Sequence, residues 1–327
     1  MEPSKVWITR RISRSAIAML QQVAEVEIWQ GEDPPPREEV IARMPGLDGL
    51  LTMLNDKISA DLIEAGAHLK VISQMAVGFD NIDVAAATRL GVPVGHTPGV
   101  LTETTADFAW ALMMAASRRV AEADRQVHAG VWLPWGPDVL TGYDLYGRTL
   151  GIVGMGRIGK AVARRARGFD MRVLYYNRHR DLEAEKELGV EFSDLDELLA
   201  RSDFVSLHVF ASPETYHLIN RERLEKMKPE AVLVNTARGS VVDIDALMWA
   251  LREGKITAAG LDVFDPEPIP PGHPILSLHN VVITPHIASG GKRAREDSAI
   301  MAVENLIAGL RGEQLPHCAN PAVYEHR

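Results

Sequence analysis

The sequence predicts an α/β protein built from two doubly wound parallel-sheet domains, and three observations lead there. The chain has 327 residues, enough for about two domains of ordinary size. Short β-branched runs alternate with amphipathic stretches twice over, through 5–98 and again through 149–285, which is the rhythm of βαβ units. The second series opens on a glycine pattern, Gly154, Gly156 and Gly159, placed between a strand candidate and a helical one.

In the first series the strand candidates are 5–10, 25–30, 47–54, 70–75 and 93–98, with helical patterns at 14–24, 37–44, 59–67 and 83–90. Pro34, Pro35 and Pro36 mark a loop. Residues 101–128 read as one long helix whose middle is too uniformly apolar to face water, expected to run between the two domains. A loop rich in Trp, Pro and Gly follows at 130–147. Strand candidates then resume at 149–154, 172–177, 204–209, 231–237, 258–263 and 281–285. A last helical pattern, 291–310, needs a surface to pack on, and its periodicity does not say which domain supplies it.

Composition narrows the function. Apolar residues make up 46% and charged residues 24%, an ordinary globular balance that buries a core. The longest apolar run, 108–116, is too short for a bilayer, and the opening residues lack the basic-then-apolar pattern of a secretory signal. A single cysteine, Cys318, excludes an intramolecular disulfide and any Cys-rich zinc site. We therefore expect a cytoplasmic protein with no membrane association and no metal. The net charge of −9, without any cluster of five or six like charges, argues against nucleic acid as a partner. A small anionic substrate fits, because a few arginines in one cleft reverse the local field.

The glycine pattern stands where a dinucleotide would use it. One glycine makes the tight turn, one lets the backbone approach a pyrophosphate, and one lets the helix pack on the strand. The end of the next strand then distinguishes the cofactors, since an acid there binds the ribose hydroxyls and repels a 2′-phosphate. No acid is present. Asn177, Arg178, His179 and Arg180 occupy the place, and two guanidiniums offer forked donors to phosphate oxygens. The expectation is NADP(H) in preference to NAD(H).

Three further residues stand where strands of the second series end: Arg238 in NTARGSVVD, Glu267 in LDVFDPEPIP and His286 in TPHIAS. Catalytic groups of open α/β sheets gather outside the carboxyl ends of the strands. An arginine, an acid and a histidine gathered there suit hydride transfer to a keto acid. With VGFDNID (77–83) and the glycine pattern, these strings resemble the D-isomer-specific 2-hydroxyacid dehydrogenases, and most of all the glyoxylate reductase and hydroxypyruvate reductase branch. The likeness runs from about residue 5 to 316. It departs at Phe210, where the pattern has proline, and at Val139, which matches a third tryptophan beside Trp132 and Trp135.

The resemblance implies roles residue by residue. Arg238 would bind the substrate carboxylate and polarise the keto group, His286 would donate the proton, and Glu267 would hold and charge its imidazole. The N–H groups of Val77 and Gly78 would also grip the carboxylate. Met155, Arg157 and Ile158 of the glycine turn, residues 177–179, and Thr236, Ala237 and Arg238 would meet the cofactor, with Thr105 and Asp262 near the nicotinamide. His96 and His208, on strand candidates, read instead as satisfied polar groups.

It also implies a discontinuous plan. Residues 1–99 with 289–327 would form a flavodoxin-like substrate domain, and 100–288 a Rossmann cofactor domain inserted into it, the substrate lying in the cleft and a homodimer forming through the cofactor domains. A dinucleotide-sensing corepressor is the competing reading, and the intact Arg238, Glu267 and His286 set counts against it. Phosphite oxidation would require a lysine at Val77.

Overall fold

The structure, a computed structural model, describes residues 3–325; the outermost positions of the expected substrate domain lie outside them. The chain divides into two compact units, one running up to Leu101 and resuming at Gly291, the other spanning Thr102–Gly290.

In the first unit β1 (Ser4–Ile8), β2 (Ala24–Ile28), β3 (Gly49–Thr52), β4 (Val71–Gln74) and β5 (Val94–Gly95) form a parallel sheet in the order β2-β1-β3-β4-β5. This is the flavodoxin-like order. Both faces are covered, which is why β3 and β4 are buried at every position rather than alternating. The helix Lys292–Leu310 supplies part of one layer. Its Ala299, Ala302, Val303 and Leu306 join Val6, Ile8, Leu51 and Val71 in one core cluster. A β-carbon at Gly309 would press on the Val71 side chain, so glycine lets helix and sheet approach. The question of where 291–310 packs is thereby answered.

The second unit contains β6 (Thr149–Val153), β7 (Arg172–Tyr176), β8 (Glu191–Phe192), β9 (Phe204–Leu207), β10 (Val232–Asn235), β11 (Ala258–Leu261) and β12 (Val281–Ile283). All pair in parallel, in the order β12-β11-β10-β9-β6-β7-β8. The order reverses between β6 and β9, the doubly wound dinucleotide-binding arrangement. The two-residue β8 had no signal in the sequence.

The expected single helix over 101–128 is two helices, Thr102–Ser117 and Val120–His128. The first packs Ala106, Ala109, Trp110, Leu112 and Met113 into the core of the second unit, while the second buries no residue. The break has its cause in a later segment of the chain. The Ser117 carbonyl accepts the N–H of Tyr143 at 3.0 Å and so is taken by another segment. Arg119 then turns left-handed, φ 54°, a conformation costing a non-glycine residue about 1 kcal/mol, and forks onto Glu122 at 2.8 and 2.9 Å.

Candidate active site

Every strand of the second unit runs the same way, so the loops after β6, β7, β9, β10, β11 and β12 leave one edge of the sheet. After β6, Gly154 is left-handed, φ 101°, and a β-carbon there would meet the His208 carbonyl, while one at Gly159 would overlap the Gly154 carbonyl. Each substitution would spring the turn. Around Gly156 nothing lies within 4 Å of a β-carbon position, and the helix Arg157–Ala166 starts from it without a side-chain cap. A helix N-terminus left without a side-chain cap beside a bare glycine is the arrangement that favours phosphate.

Asn177 holds this loop, its Oδ1 accepting the Met155 N–H at 2.8 Å. Arg178, His179 and Arg180 follow, all exposed. Arg180 forks onto Glu185, whereas Arg178 makes no hydrogen bond or ion pair among the described residues. Burial pushes the His208 imidazole down to about 3. It is neutral at working pH and sits 2.8 Å from Ser206 Oγ, a structural group as expected. Phe210 beyond it is 77% exposed.

At the ends of β10, β11 and β12, neighbours in the sheet, the structure brings Arg238, Glu267 and His286 together. His286 Nδ1 lies 2.8 Å from Glu267 Oε2. A carboxylate can only accept, so Nδ1 carries the proton of that bond and Nε2 is the nitrogen presented for exchange. Glu267 Oε1 accepts the Phe264 N–H at 2.7 Å. Burial acts to raise the Glu267 pKa, but the His286 contact, the Phe264 N–H and the charge of Arg238 outweigh it and hold the carboxyl below its ordinary range. It is ionised at neutral pH.

Three residues position this set, and none of them was assigned that role from the sequence. Asn235, buried at the end of β10, accepts the Ala237 N–H at 3.0 Å and donates to the Arg238 carbonyl at 2.9 Å, shaping the turn that carries Arg238. Gly239 follows, and a β-carbon there would overlap the Phe264 backbone. That contact seats the Arg238 turn against the segment leading to Glu267. Asp262, 1% exposed, accepts from Thr284 Oγ1, Ile287 N–H and Ala288 N–H at 2.6, 2.9 and 2.7 Å. Its carbonyl takes the His286 N–H at 2.9 Å. The left-handed His286, φ 55°, is thereby held from both sides. Only the spacing Asn235-x-x-Arg238 hinted at any of this.

In the first unit the loop of Val77 and Gly78 is pinned by its carbonyls. His96 Nδ1 donates to Val77 O at 3.0 Å and Gln74 Nε2 to Gly78 O at 3.3 Å.

These residues fit a dinucleotide. The glycine turn leaves a cradle, and Thr236 Oγ1 is buried with no hydrogen-bond partner among the described residues, an acceptor and donor awaiting a ligand. Thr105 is buried in the helix Thr102–Ser117. No group of three or more His, Cys, Asp or Glu side chains able to hold a metal occurs among the described residues, and no helix there is long and apolar enough to cross a membrane.

Comparison with known proteins agrees. The family model "D-isomer specific 2-hydroxyacid dehydrogenase, NAD binding domain" matches residues 110–288. The chain is 54% identical to the glyoxylate reductase of Korarchaeum cryptofilum, over 100% of this chain and 98% of the other. Among solved structures, the TT0316 protein of Thermus thermophilus superposes with a TM-score of 0.91 at 48% identity, covering 96% of this chain and 99% of that one. An NADPH-dependent glyoxylate/hydroxypyruvate reductase of Sinorhizobium meliloti, solved with NADP and malonate, gives 0.83 at 29% identity, covering 99% and 98%. With its two parallel-sheet units and these relatives, the chain belongs to the D-isomer-specific 2-hydroxyacid dehydrogenase family, in the glyoxylate reductase branch.

Proposed function

We propose that the chain reduces glyoxylate and hydroxypyruvate to glycolate and D-glycerate, using NADPH in preference to NADH, as a cytoplasmic homodimer. The observation that carries the reading is the His286–Glu267 contact of 2.8 Å with Arg238 close enough to act on the same carboxylate.

When bound, the nicotinamide supplies the hydride to the keto carbon. Arg238 binds the substrate carboxylate and stabilises the negative charge that develops on the keto oxygen. The proton for that oxygen comes from His286 Nε2, while Glu267 at Nδ1 orients the ring and stabilises its charged form before transfer. Val77 and Gly78, whose carbonyls are already engaged, offer their N–H groups to the substrate carboxylate. On the cofactor side, Gly154, Met155, Gly156, Arg157, Ile158 and Gly159 take the pyrophosphate. Asn177 and His179 take the ribose and Arg178 its 2′-phosphate, with Arg180 beside them. Thr236, Ala237, Thr105 and Asp262 line the nicotinamide end. The NADPH dependence named for the Sinorhizobium meliloti relative supports the cofactor choice.

An apolar surface supports the homodimer. Val127, Val131, Trp132, Leu133, Trp135 and Val139 line a groove of about 320 Å³, with Trp132 81% and Trp135 91% exposed. Apolar side chains so grouped on a surface mark contact sites. Light scattering on the purified protein reads the assembly directly.

Steady-state kinetics with NADPH and NADH against a panel of 2-keto acids test the reading. Glyoxylate and hydroxypyruvate should give the highest kcat/KM, with some leakage to pyruvate, since one methylene in an apolar pocket discriminates by only about 1 to 3 kcal/mol. Faster reduction of phenylpyruvate or 4-methyl-2-oxopentanoate than of both would sink the substrate assignment, and a wild-type preference for NADH would sink the cofactor assignment.

A further inference from the structure

The turn after β7 holds more basic side chains than it leaves available. Arg180 sets Nε 2.6 Å and Nη2 2.7 Å from the two carboxylate oxygens of Glu185, a fork on a fork, and its guanidinium lies 6.0 Å from the centre of the Phe192 ring. Glu185 is itself fixed. Tyr175, fully buried, donates its hydroxyl to Glu185 at 2.7 Å, and the same hydroxyl accepts the Asp181 N–H at 2.8 Å. Asp181 caps the helix Leu182–Leu188 through the Ala184 N–H at 2.9 Å and pairs with Lys160 at 2.8 Å. Each cation here, Arg180 and Lys160, thus faces its own anion. Arg178 makes no such contact: its charge acts on Glu214, but no hydrogen bond or ion pair among the described residues holds its guanidinium.

We propose that Glu185 sets the strength of cofactor discrimination by withholding Arg180 from the 2′-phosphate, so that Arg178 alone reads that group. The paired Nε and Nη2 edge is the one an arginine offers to a phosphate in bidentate contact, and here a carboxylate fills it. The charge of Arg180 is cancelled at contact distance, so it adds little attraction for a second anion. Glu185 acts on the cofactor through Arg180 and is a positioning residue. The inference rests on the NADP(H) reading above.

Calorimetric binding of adenosine 2′,5′-bisphosphate and of 5′-AMP to the full chain tests it without turnover. In the wild-type protein, Arg178→Ala should weaken the bisphosphate about tenfold or more and leave 5′-AMP unchanged. Arg180→Ala should change the ratio by no more than about twofold. Glu185→Gln keeps an acceptor for the Tyr175 hydroxyl but removes the charge, so the bisphosphate should tighten about three- to tenfold relative to 5′-AMP. Adding Arg180→Ala to Glu185→Gln should erase that gain. The proposal is overturned if Glu185→Gln leaves the ratio unchanged, if its gain survives Arg180→Ala, or if Arg180→Ala alone costs as much as Arg178→Ala. Equal binding of both nucleotides by the wild-type protein would instead remove the NADP(H) reading, and the comparison of Glu185→Gln with and without Arg180 still decides the role of Glu185.

Discussion

Each sheet reverses its strand order once, between β1 and β3 in one unit and between β6 and β9 in the other, and open α/β sheets bind ligands at such points. The two are furnished in opposite ways. At the first, Asp56 Oδ2 accepts from Thr9 Oγ1, Thr52 Oγ1 and the Met53 N–H at 2.5, 3.0 and 2.7 Å. Asn81 ties the same loop down through the Met53 and Asp56 carbonyls at 3.0 and 2.7 Å. At the second, side chains are stripped away, and Gly154, Gly156 and Gly159 leave bare backbone. Topology provides two crevices, and residue chemistry ties one down through Asp56 Oδ2, leaving its Oδ1 with no hydrogen-bond partner among the described residues but 3.9 Å from Arg10 Nη1, while the other is left as bare backbone for a ligand.

If the second crevice does the chemistry and the first is a packed support, variants should separate the two. His286→Ala should lower kcat for reduction about a thousandfold while cofactor binding, followed by tryptophan fluorescence, stays intact; loss of both together would mean that the histidine is a structural part. Asp56→Ala removes the acceptor of three donors at a buried site and should cost roughly 2 to 4 kcal/mol in urea unfolding. A stability close to that of the wild-type chain would deny the first crevice its packed character. Gly239→Ala forces the Arg238 turn off the Phe264 backbone, and a displacement of that kind should cut kcat/KM about a hundredfold, with full activity refuting the proposed seating.

The smallest effects belong to Glu267. Glu267→Gln removes the anion that orients His286 through Nδ1, so kcat for reduction should fall about tenfold; an unchanged kcat takes Glu267 out of the mechanism. Because the Glu267 carboxyl is held below its ordinary range in the folded chain, it stabilises the fold above that range and loses the contribution as pH falls through its folded value. The stability difference between wild type and Glu267→Gln should therefore hold from neutral pH to about 5 and shrink below about 4.

What could be read from the sequence was what local pattern encodes. Alternating strands and helices, the glycine turn, and Arg238, Glu267 and His286 at strand ends all depend on residues near one another in the chain. The break at Arg119 was hidden because its cause, Tyr143 on the Ser117 carbonyl, is a distant segment. Arg180 looked equivalent to Arg178, since nothing in NRHR says that Glu185 reaches back to one of them. Asn235 was given no role and Asp262 a place near the nicotinamide, and their work of holding the turns of Arg238 and His286 exists only once those turns are folded. In the motif 77–83, Asp83 caps the helix Val84–Arg89 through the Ala86 N–H at 2.8 Å, and Asn81 serves the Asp56 loop. Much of that string maintains the backbone around Val77 and Gly78.

The helix Lys292–Leu310 belongs to the unit whose strands were completed by Gly95, and all of Thr102–Gly290 is translated between them. On the ribosome, at about 5 to 20 residues per second, the Val6, Ile8, Leu51 and Val71 face therefore waits roughly ten to forty seconds for its cover. The inserted unit can complete its own sheet during that interval. Chains stalled at Gly290 should accordingly capture a holdase chaperone on the early strands, and chains stalled well beyond Leu310 should release it.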